Sequence, residues 1–130
     1  MNMDAWNILL VDDEVEFIST LAERLELRGV NARVTYDGES ALKAVAENEP
    51  QVMVLDVMMP GMKGLDVLQR VKEEHPRVRV ILLTGQGKTR DGIEGMRYGA
   101  FAYLMKPLDL EELIHTLGEA INAEKGTPHA

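Results

Sequence analysis

Apolar residues are concentrated in four short runs and one weaker alternating stretch, separated by segments of mixed polarity. The four runs are Ile8 to Val11, Val52 to Leu55, Val78 to Leu83 and Phe101 to Met105, and the alternating stretch is Ala32, Val34 and Tyr36. The segments between them place apolar residues at helical spacing, as Leu65, Leu68 and Val71 do. Short apolar runs predict strands, and helical spacing predicts helices. The chain is therefore predicted to contain five β-α units.

This alternation predicts an α/β fold with a single doubly wound sheet of five parallel strands, right-handed crossovers and helices on both faces. Continuous apolar runs are typical of interior strands, whereas the alternating stretch is typical of an edge strand. Local signals mark two helix starts. Asp37 is placed to cap the second helix, and Asp109 with Glu112 forms an Asp-x-x-Glu capping box before the fifth.

The length of the chain, 130 residues, is close to the usual size of one domain. No linker of low complexity and no internal repeat beyond the β-α unit divides it. We therefore expect one domain over residues 1–130, with its core at about 7–123 and a solvated tail at 124–130.

Composition excludes several classes of protein. There is no cysteine, which excludes disulfide scaffolds, cysteine nucleophiles and thiolate metal sites. No apolar run approaches the roughly 20 residues that span a bilayer, and the N-terminal segment lacks the positive charge of a targeting sequence. A formal net charge of -8 disfavours binding to nucleic acid or to an anionic membrane. We expect a cytoplasmic protein with no membrane contact and no direct nucleic-acid binding.

Polar residues follow four of the predicted strands at their carboxyl ends. They are Asp12, Asp13 and Glu14 after the first strand, Asp56 after the third, Thr84 after the fourth, and Lys106, which precedes Pro107, after the fifth. Ligands of open parallel sheets bind beyond the carboxyl ends of the strands. We therefore expect these side chains to share one rim.

Carboxylates that converge on one rim repel one another and raise one another's pKa unless a cation compensates for their charge. Oxygen ligands without histidine or cysteine favour a hard cation, and a small site with room for phosphate oxygens favours Mg²⁺ over Ca²⁺. The alternative for Asp12, Asp13 and Glu14 is a helix N-terminus, where acidic side chains interact favourably with the helix dipole. That alternative does not account for Asp56, because a buried carboxylate without partners is costly.

A hydroxyl at Thr84 and an ammonium at Lys106 are groups that a phosphoryl group needs, since its negative charge must be shared among fixed donors and cations. Taken singly, Thr84 is typical of a strand-end turn and Lys106 of a solvated surface. Their joint placement beside the acids favours phosphoryl chemistry, and we expect Lys106 to pair with the acids when phosphate is absent.

Four segments of the chain match motifs of a known family. They are residues 8–14 (ILLVDDE), 55–64 (LDVMMPGMKG), 83–84 (LT) and 98–107 (YGAFAYLMKP). Through them the chain resembles the receiver domain of bacterial response regulators, which act in two-component signal transduction, over about residues 7–123. The resemblance implies a flavodoxin-like (βα)5 fold with strand order 2-1-3-4-5.

The resemblance also implies a phosphoacceptor mechanism. Asp56 is then the nucleophile that attacks a phosphohistidine of a sensor histidine kinase or phosphotransfer domain and becomes an aspartyl phosphate. Asp13 binds Mg²⁺ directly and Asp12 largely through water, while Asp56 and the backbone carbonyl of Met58 complete the protein ligands. Met58 and Gln86 occupy positions that modulate dephosphorylation in the family. No enzymatic activity is implied beyond self-catalysed phosphoryl acceptance and autodephosphorylation.

Further roles around the phosphoryl group follow from the same resemblance. Thr84 donates a hydrogen bond to one phosphoryl oxygen, and Lys106 forms a salt bridge to another. The Lys106–Pro107 bond is similar to the cis peptide of the family, which directs the ammonium inward. Tyr103 resembles the family's switch aromatic, which turns inward as Thr84 moves; without the resemblance it is a plain edge-strand tyrosine.

Partners are expected on two surfaces. The first helix has a broad apolar stripe, and we expect its exposed margin to dock a kinase helix. By resemblance, the face of helix four, strand five and helix five contacts a downstream protein target or a second receiver, with Lys88, Arg90 and Arg97 as charge contacts. Helix four contains several glycines and is expected to be marginal, with Ile93 and Met96 as its main apolar anchors.

Three other functions match parts of this pattern. A haloacid-type phosphatase also uses a strand-end aspartate and Mg²⁺, but it needs Asp-x-Asp after the first strand, where this chain has Asp12 next to Asp13. A flavin-binding protein of the same fold would not build its phosphate loop from two aspartates. An interaction module that works without phosphorylation stays open, and metal-dependent phosphoryl acceptance distinguishes it from a switch.

Overall fold

The computed structural model describes residues 3–85 and 89–123 of the chain. The strands are β1 (Ile8–Val11), β2 (Ala32–Thr35), β3 (Val52–Asp56), β4 (Arg79–Thr84) and β5 (Ala102–Met105). The helices are α1 (Val15–Leu27), α2 (Gly38–Glu47), α3 (Gly64–Glu74), α4 (Thr89–Arg97) and α5 (Leu110–Asn122). The tail predicted at residues 124–130, together with Gln86 and Lys88, lies outside the described residues.

The strands form one parallel sheet in the order β2-β1-β3-β4-β5. The predicted five-stranded flavodoxin-like topology is therefore confirmed. Ile8 of β1 pairs with Ala32 of β2 on one side and with Val52 of β3 on the other. Strand β2 ends at Thr35, so the assignment of Tyr36 to this strand was wrong. All four residues of β2 are half-buried, as expected for an edge strand.

Two apolar layers cover the sheet. Successive side chains of a strand point to opposite faces, so Ile8 and Leu10 of β1 pack in one layer, while Leu9 and Val11 pack in the other. The first layer includes buried residues of α1 and α5, and the second includes those of α2 and α3. Because both faces are covered, the interior strands are apolar except at their ends, where β3 has Asp56 and β4 has Arg79 and Thr84. The layers hold the carboxyl ends of the strands at one fixed rim.

Side-chain caps fix the starts of α2 and α5. The Asp37 carboxylate accepts a hydrogen bond from the backbone N–H of Ser40 at 2.7 Å. The Asp109 carboxylate accepts from the N–H groups of Glu111 at 2.9 Å and Glu112 at 3.3 Å. Each cap satisfies N–H groups that the first helical turn leaves without partners. Both predicted cap positions are confirmed.

Helix α4 packs on the sheet in a way that the sequence pattern did not predict. Ile93 and Met96, expected as its anchors, are 53% and 43% exposed. Gly92 and Gly95 are buried in their place. A Cβ atom at Gly92 would lie 2.5 Å from the Tyr103 ring, and one at Gly95 would overlap the Leu82 side chain. The two glycines therefore let the helix backbone lie directly on side chains of β4 and β5.

Candidate functional site

Four strands place polar residues at the same rim of the sheet. Asp12 follows β1, Asp56 and Thr84 are the last residues of β3 and β4, and Lys106 follows β5. The side chains of Asp12 and Thr84 are inaccessible to solvent, and Asp56 is only 4% exposed. Polar side chains so deeply buried need partners or a ligand. The predicted convergence at this rim is present in the structure.

An acidic cluster forms the floor of the site. Carboxylate oxygens of Asp12, Asp13 and Asp56 lie within 4.8 Å of one another. Burial, and next the negative charge of Asp12, raise the pKa of Asp56 to about 7, although the positive charge of Lys106 opposes this shift. An all-oxygen donor set of this kind fits a hard divalent cation, which would offset the repulsion among the carboxylates.

The alternative role of the acidic run as a cap of α1 agrees only in part with the structure. Glu14 occupies the N-cap position, but its side chain makes no capping hydrogen bond. One oxygen of the Asp12 carboxylate accepts from the N–H of Glu14 at 2.9 Å. A role at the start of α1 therefore explains the position of one Asp12 oxygen. It does not explain why the carboxylates of Asp12, Asp13 and Asp56 lie so close together.

The Lys106 ammonium is the cation of the site. Its Nζ donates to Asp12 Oδ2 at 2.9 Å and to Glu14 Oε1 at 2.6 Å, and it lies 3.8 Å from Asp56 Oδ1. Burial lowers the pKa of Lys106, but the hydrogen bonds to Glu14 and Asp12 outweigh burial and leave the pKa above its usual value. Because its pKa is raised, the ammonium stays charged beside the acidic cluster. The peptide bond from Lys106 to Pro107 is cis, as the family resemblance implies.

The Thr84 side chain places a buried hydroxyl group at the rim. The Oγ1 atom is buried and makes no hydrogen bond within the described part of the chain. The backbone of Thr84 is held in place, because its carbonyl accepts from the N–H of Lys106 at 2.8 Å. A fully buried hydroxyl without a partner costs free energy. Its position at the end of β4 suits a donor to an oxyanion bound at the rim.

Met58 lies beside the acidic cluster, whereas Tyr103 packs against α4. The side chain of Met58 is 57% exposed, but its backbone N–H approaches Asp56 Oδ1 at 3.4 Å, so its main chain lies beside this carboxylate. Tyr103 is half-buried on β5, with its ring against Gly92. Tyr103 therefore contacts α4, and its position fits a coupling between this helix and the sheet.

The expected pairing of Lys106 with the acids is present, since its ammonium contacts Asp12 and Glu14. Sequence reasoning missed Phe17 as a partner of Lys106 and placed it only in the apolar stripe of α1. The Phe17 ring centroid lies 4.4 Å from Lys106 Nζ. The spacing of three residues places Glu14 and Phe17 on one side of the start of α1, which is the signal that could have indicated a shared contact.

Comparison with known proteins identifies the family of this fold and site. The model of the response regulator receiver domain matches residues 8–118. The chain belongs to the response regulator receiver domain family. The predicted resemblance is therefore confirmed, and proteins of this family pair with sensor histidine kinases.

Individual relatives agree with this assignment. The receiver domain is 39% identical over 107 residues to the probable transcriptional regulatory protein TcrX of Mycobacterium tuberculosis, covering 82% of this chain and 46% of the relative. It is 42% identical over 107 residues to the transcriptional regulatory protein CpxR of Escherichia coli, covering 82% of this chain and 45% of the relative. The chain thus spans about half the length of these curated relatives.

Solved structures show the same architecture. The crystal structure of the receiver domain of NtrX from Brucella abortus superposes with a TM-score of 0.86 at 31% identity, covering 90% of this chain and 99% of that one. A response regulator receiver domain protein from Clostridium thermocellum gives 0.85 at 33% identity, covering 90% and 94%. The match to whole receiver domains leaves the haloacid-type phosphatase and the flavin-binding protein without support.

The names of the relatives bear on the expectation that the protein does not bind nucleic acid. The relatives are named as transcriptional regulators, and one, NtrC of Azospirillum brasilense, as DNA-binding; it is 33% identical over 128 residues, covering 98% of this chain and 26% of the relative. These names do not support the expectation of no nucleic-acid binding. In the described parts of the receiver domain, no helix is both long enough and apolar enough to cross a membrane.

Proposed function

We propose that this receiver domain is the phosphoacceptor switch of a two-component phosphorelay, with Asp56 as the acceptor. The observation that supports this most strongly is the convergence of three carboxylates, a charged lysine and an unpartnered hydroxyl at one rim. An Asp56 carboxylate oxygen attacks the phosphorus of a phosphohistidine on a sensor histidine kinase or phosphotransfer domain. The P–N bond breaks, the imidazole leaves with its electron pair, and an aspartyl phosphate forms.

The acidic cluster is the proposed Mg²⁺ site. Asp12, Asp13, Asp56 and the backbone carbonyl of Met58 would hold the ion, and their oxygen atoms are the donors that Mg²⁺ prefers. When bound, Mg²⁺ supplies positive charge that offsets the carboxylates and the phosphoryl oxygens. The chain's own contribution is to fix these oxygens on the ends of β1 and β3, so that they need no rearrangement as charge develops.

Thr84 and Lys106 are the proposed donors to the phosphoryl oxygens. The Thr84 hydroxyl is buried and free to donate, and the Lys106 ammonium already lies 3.8 Å from Asp56. A negatively charged phosphoryl group on Asp56 would give both groups a partner. Thr84 then moves toward the phosphoryl group, which would displace the adjoining Gly85 and helix α4. Tyr103, packed on Gly92, would respond to that displacement by turning inward.

The proposed kinase-docking surface is the outer margin of α1. Val15 is 52% exposed, and a cavity of about 300 Å³ separates this helix from the segment after β5. The cavity is lined by Glu16, Phe17, Thr20, Leu21, Arg24, Leu108 and Leu110. Its apolar floor and mixed charges suit one amphipathic helix of a kinase. The site rim lies next to this surface, as phosphoryl transfer between proteins requires.

The proposed signalling surface is the face of α4, β5 and α5. Ile93, Met96 and Met105 are exposed there, at 53%, 43% and 39%. Arg90 and Arg97 line a neighbouring cavity of about 470 Å³ and are retained as charge contacts. Apolar side chains ringed by charge are typical of an interaction site. A downstream protein target or a second receiver is the proposed partner.

The names of the relatives favour transcription as the downstream output. TcrX and CpxR are named transcriptional regulators, and the receiver domain covers about half of each. In a longer protein, DNA contact would then belong to a segment other than the receiver domain, whose net charge is -8. A cytoplasmic location and no membrane contact by this domain are kept as part of the proposal.

Intact mass spectrometry tests the proposed switch. The protein is incubated with acetyl phosphate and Mg²⁺, and we expect a gain of one phosphoryl group that EDTA prevents. A protein that binds Mg²⁺ but gains no mass and forms no beryllofluoride complex would instead be a phosphorylation-independent interaction module. If beryllofluoride binds without a mass gain, hydrolysis of the aspartyl phosphate is faster than the measurement.

The raised pKa of Asp56 predicts how Mg²⁺ binding depends on pH. Because this pKa is about 7 in the folded protein and 3.8 for an ordinary aspartate, the folded protein holds one more proton than the unfolded chain between these values. The contribution of Asp56 to the free energy of unfolding therefore decreases as the pH rises through this range. Mg²⁺ must displace the proton, so its affinity should fall by up to about tenfold per unit of pH below 7.

Urea unfolding with and without Mg²⁺ checks this pH dependence. The stabilisation by a fixed Mg²⁺ concentration should be large near about pH 8 and small near about pH 5.5. The Asp56→Asn protein is the matched control, since it lacks the titrating group and should show a weaker change over the same range. Equal stabilisation of the wild-type protein at both pH values would contradict the assignment of Asp56 to the metal site.

A further inference from the structure

The Lys106 ammonium has an aromatic neighbour as well as three acidic ones. Its Nζ lies 4.4 Å from the centroid of the Phe17 ring. Phe17 is the third residue of α1, and its half-buried side chain packs against the apolar layer shared by α1 and α5. A cation within about 6 Å of a ring centroid is attracted to the negative ring face, more strongly where water is partly excluded. The side chain of Lys106 is only 19% exposed, which satisfies that condition.

The acidic neighbours of Lys106 do not by themselves direct it to Asp56. Its shortest contact, 2.6 Å, is with Glu14, whose side chain is 61% exposed. Its distance to Asp56 is 3.8 Å. An exposed glutamate on a flexible stem can draw a lysine toward solvent, because exposed ion pairs hold no fixed geometry. The buried Asp12 carboxylate accepts from Lys106 Nζ at 2.9 Å and holds the ammonium over the cluster. A metal ion bound to Asp12 would compete for this contact, so a further contact is needed once the ion is present.

The Phe17 ring meets this need, since helix packing holds it in place. The ring lies on α1, which also provides the buried anchors Ile18 and Leu25 on the same sheet face. Phenylalanine has no hydrogen-bonding group, so the ring attracts the ammonium without competing as a base or a metal ligand. It can therefore keep its contact with Lys106 when the acidic partners are occupied by a metal ion or a phosphoryl group.

We propose that Phe17 is a positioning residue for phosphoryl acceptance: its ring face holds the Lys106 ammonium within reach of a phosphoryl group on Asp56. The inference rests on the proposed phosphoacceptor function. Phe17 does not touch the reacting atoms, and it acts through Lys106. Loss of the ring should therefore weaken binding of a phosphoryl group while leaving the metal ligands unchanged.

Beryllofluoride, a stable mimic of the phosphoryl group, is the probe for this inference. Its dissociation constant is measured by calorimetry in the presence of Mg²⁺ for the wild type, Phe17→Leu and Phe17→Tyr. Phe17→Leu keeps an apolar side chain without a ring face, and we expect about three- to tenfold weaker binding. Phe17→Tyr keeps the ring and should bind within about twofold of the wild type. Urea unfolding of each variant confirms that the compared proteins are folded.

Two further variants separate positioning from a general effect of the helix surface. In a Lys106→Ala background, Phe17→Leu should cause no additional loss, because the residue through which Phe17 acts is absent. Glu23→Ala is the matched control on α1. Glu23 is exposed on this helix and lines neither the acidic site nor the docking cavity, so this variant should bind beryllofluoride like the wild type.

The outcomes distinguish failure of this inference from failure of the proposed function. If Phe17→Leu binds beryllofluoride as tightly as the wild type or more tightly, Phe17 does not position Lys106. An equal loss from Phe17→Leu with and without Lys106 would also overturn the inference. If the wild type does not bind, or if Asp56→Asn and Lys106→Ala both bind like the wild type, the phosphoacceptor function itself is wrong.

Discussion

Replacing Asp56 with asparagine should abolish phosphoryl acceptance, so that no mass gain follows incubation with acetyl phosphate and Mg²⁺. The carboxamide lacks the anionic oxygen that attacks phosphorus. The neighbouring Asp12 should not take over, because it is inaccessible to solvent and its two oxygens are held by the Glu14 N–H and by Lys106 Nζ. Loss of a single carboxylate therefore removes the whole reaction.

The matched control for this substitution is Asp66→Asn. Asp66 is an exposed carboxylate in the first turn of α3, outside the acidic cluster, and this variant should be phosphorylated like the wild type.

Asp56→Asn should also be more stable than the metal-free wild type near pH 8, by about 2 kcal/mol, since it removes a buried charge. That gain would exclude unfolding as the cause of inactivity. Normal phosphorylation of Asp56→Asn would show that another group is the acceptor.

Much of the fold could be predicted because four of the five strands lie in apolar runs. Strand β1 has the predicted bounds, Ile8–Val11, and β4 is shifted by one residue to Arg79–Thr84. The strand order came from the family resemblance, since hydrophobic pattern alone gives no order. Strand β2 has the weakest pattern, because an edge strand buries fewer of its side chains, and Tyr36 was wrongly included in it.

The part of the candidate site that lies at the ends of the strands could be predicted from the geometry of a parallel sheet. Any residue at the carboxyl end of a parallel strand reaches the same rim, so Asp12, Asp56, Thr84 and Lys106 could be grouped without coordinates. The contact of Lys106 with Phe17 could not be predicted in the same way. It depends on the direction of a side chain at the start of a helix, which the sheet rule does not describe.

The packing of α4 shows where hydrophobic pattern fails. The pattern treats glycine as an empty position, so Ile93 and Met96 were assigned to the core. In the structure the helix approaches the sheet along Gly92 and Gly95, and the larger residues are left on the outer face. Close backbone approach through glycine is a buried contact that contributes no apolar side chain to the pattern. This packing also leaves Ile93 and Met96 exposed on the proposed signalling surface.

A second close approach through glycine predicts a large effect on stability. Gly64 is the first residue of α3, and its N–H donates to the carbonyl of Val57 at 3.1 Å. A Cβ atom at this position would overlap the carbonyl oxygen of Asp56 and would lie 2.7 Å from Val57 Cα. These are backbone atoms, so no side-chain rotation relieves the overlap. Gly64→Ala should therefore lower the free energy of unfolding by about 3 kcal/mol.

The free energies of unfolding in urea of Gly64→Ala and Gly118→Ala are compared to separate the overlap at Gly64 from the general effect of alanine in a helix. Gly118 is also a helical glycine, inside α5, but a Cβ there would lie 3.6 Å from the Trp6 ring, an ordinary van der Waals distance. Gly118→Ala should therefore stabilise the protein, by about 0.5–1 kcal/mol, through helix propensity. Because relief of the overlap at Gly64 must move the end of β3, the folded Gly64→Ala protein should also accept the phosphoryl group more slowly. Wild-type stability and phosphorylation rate in Gly64→Ala would show that α3 moves independently of Asp56.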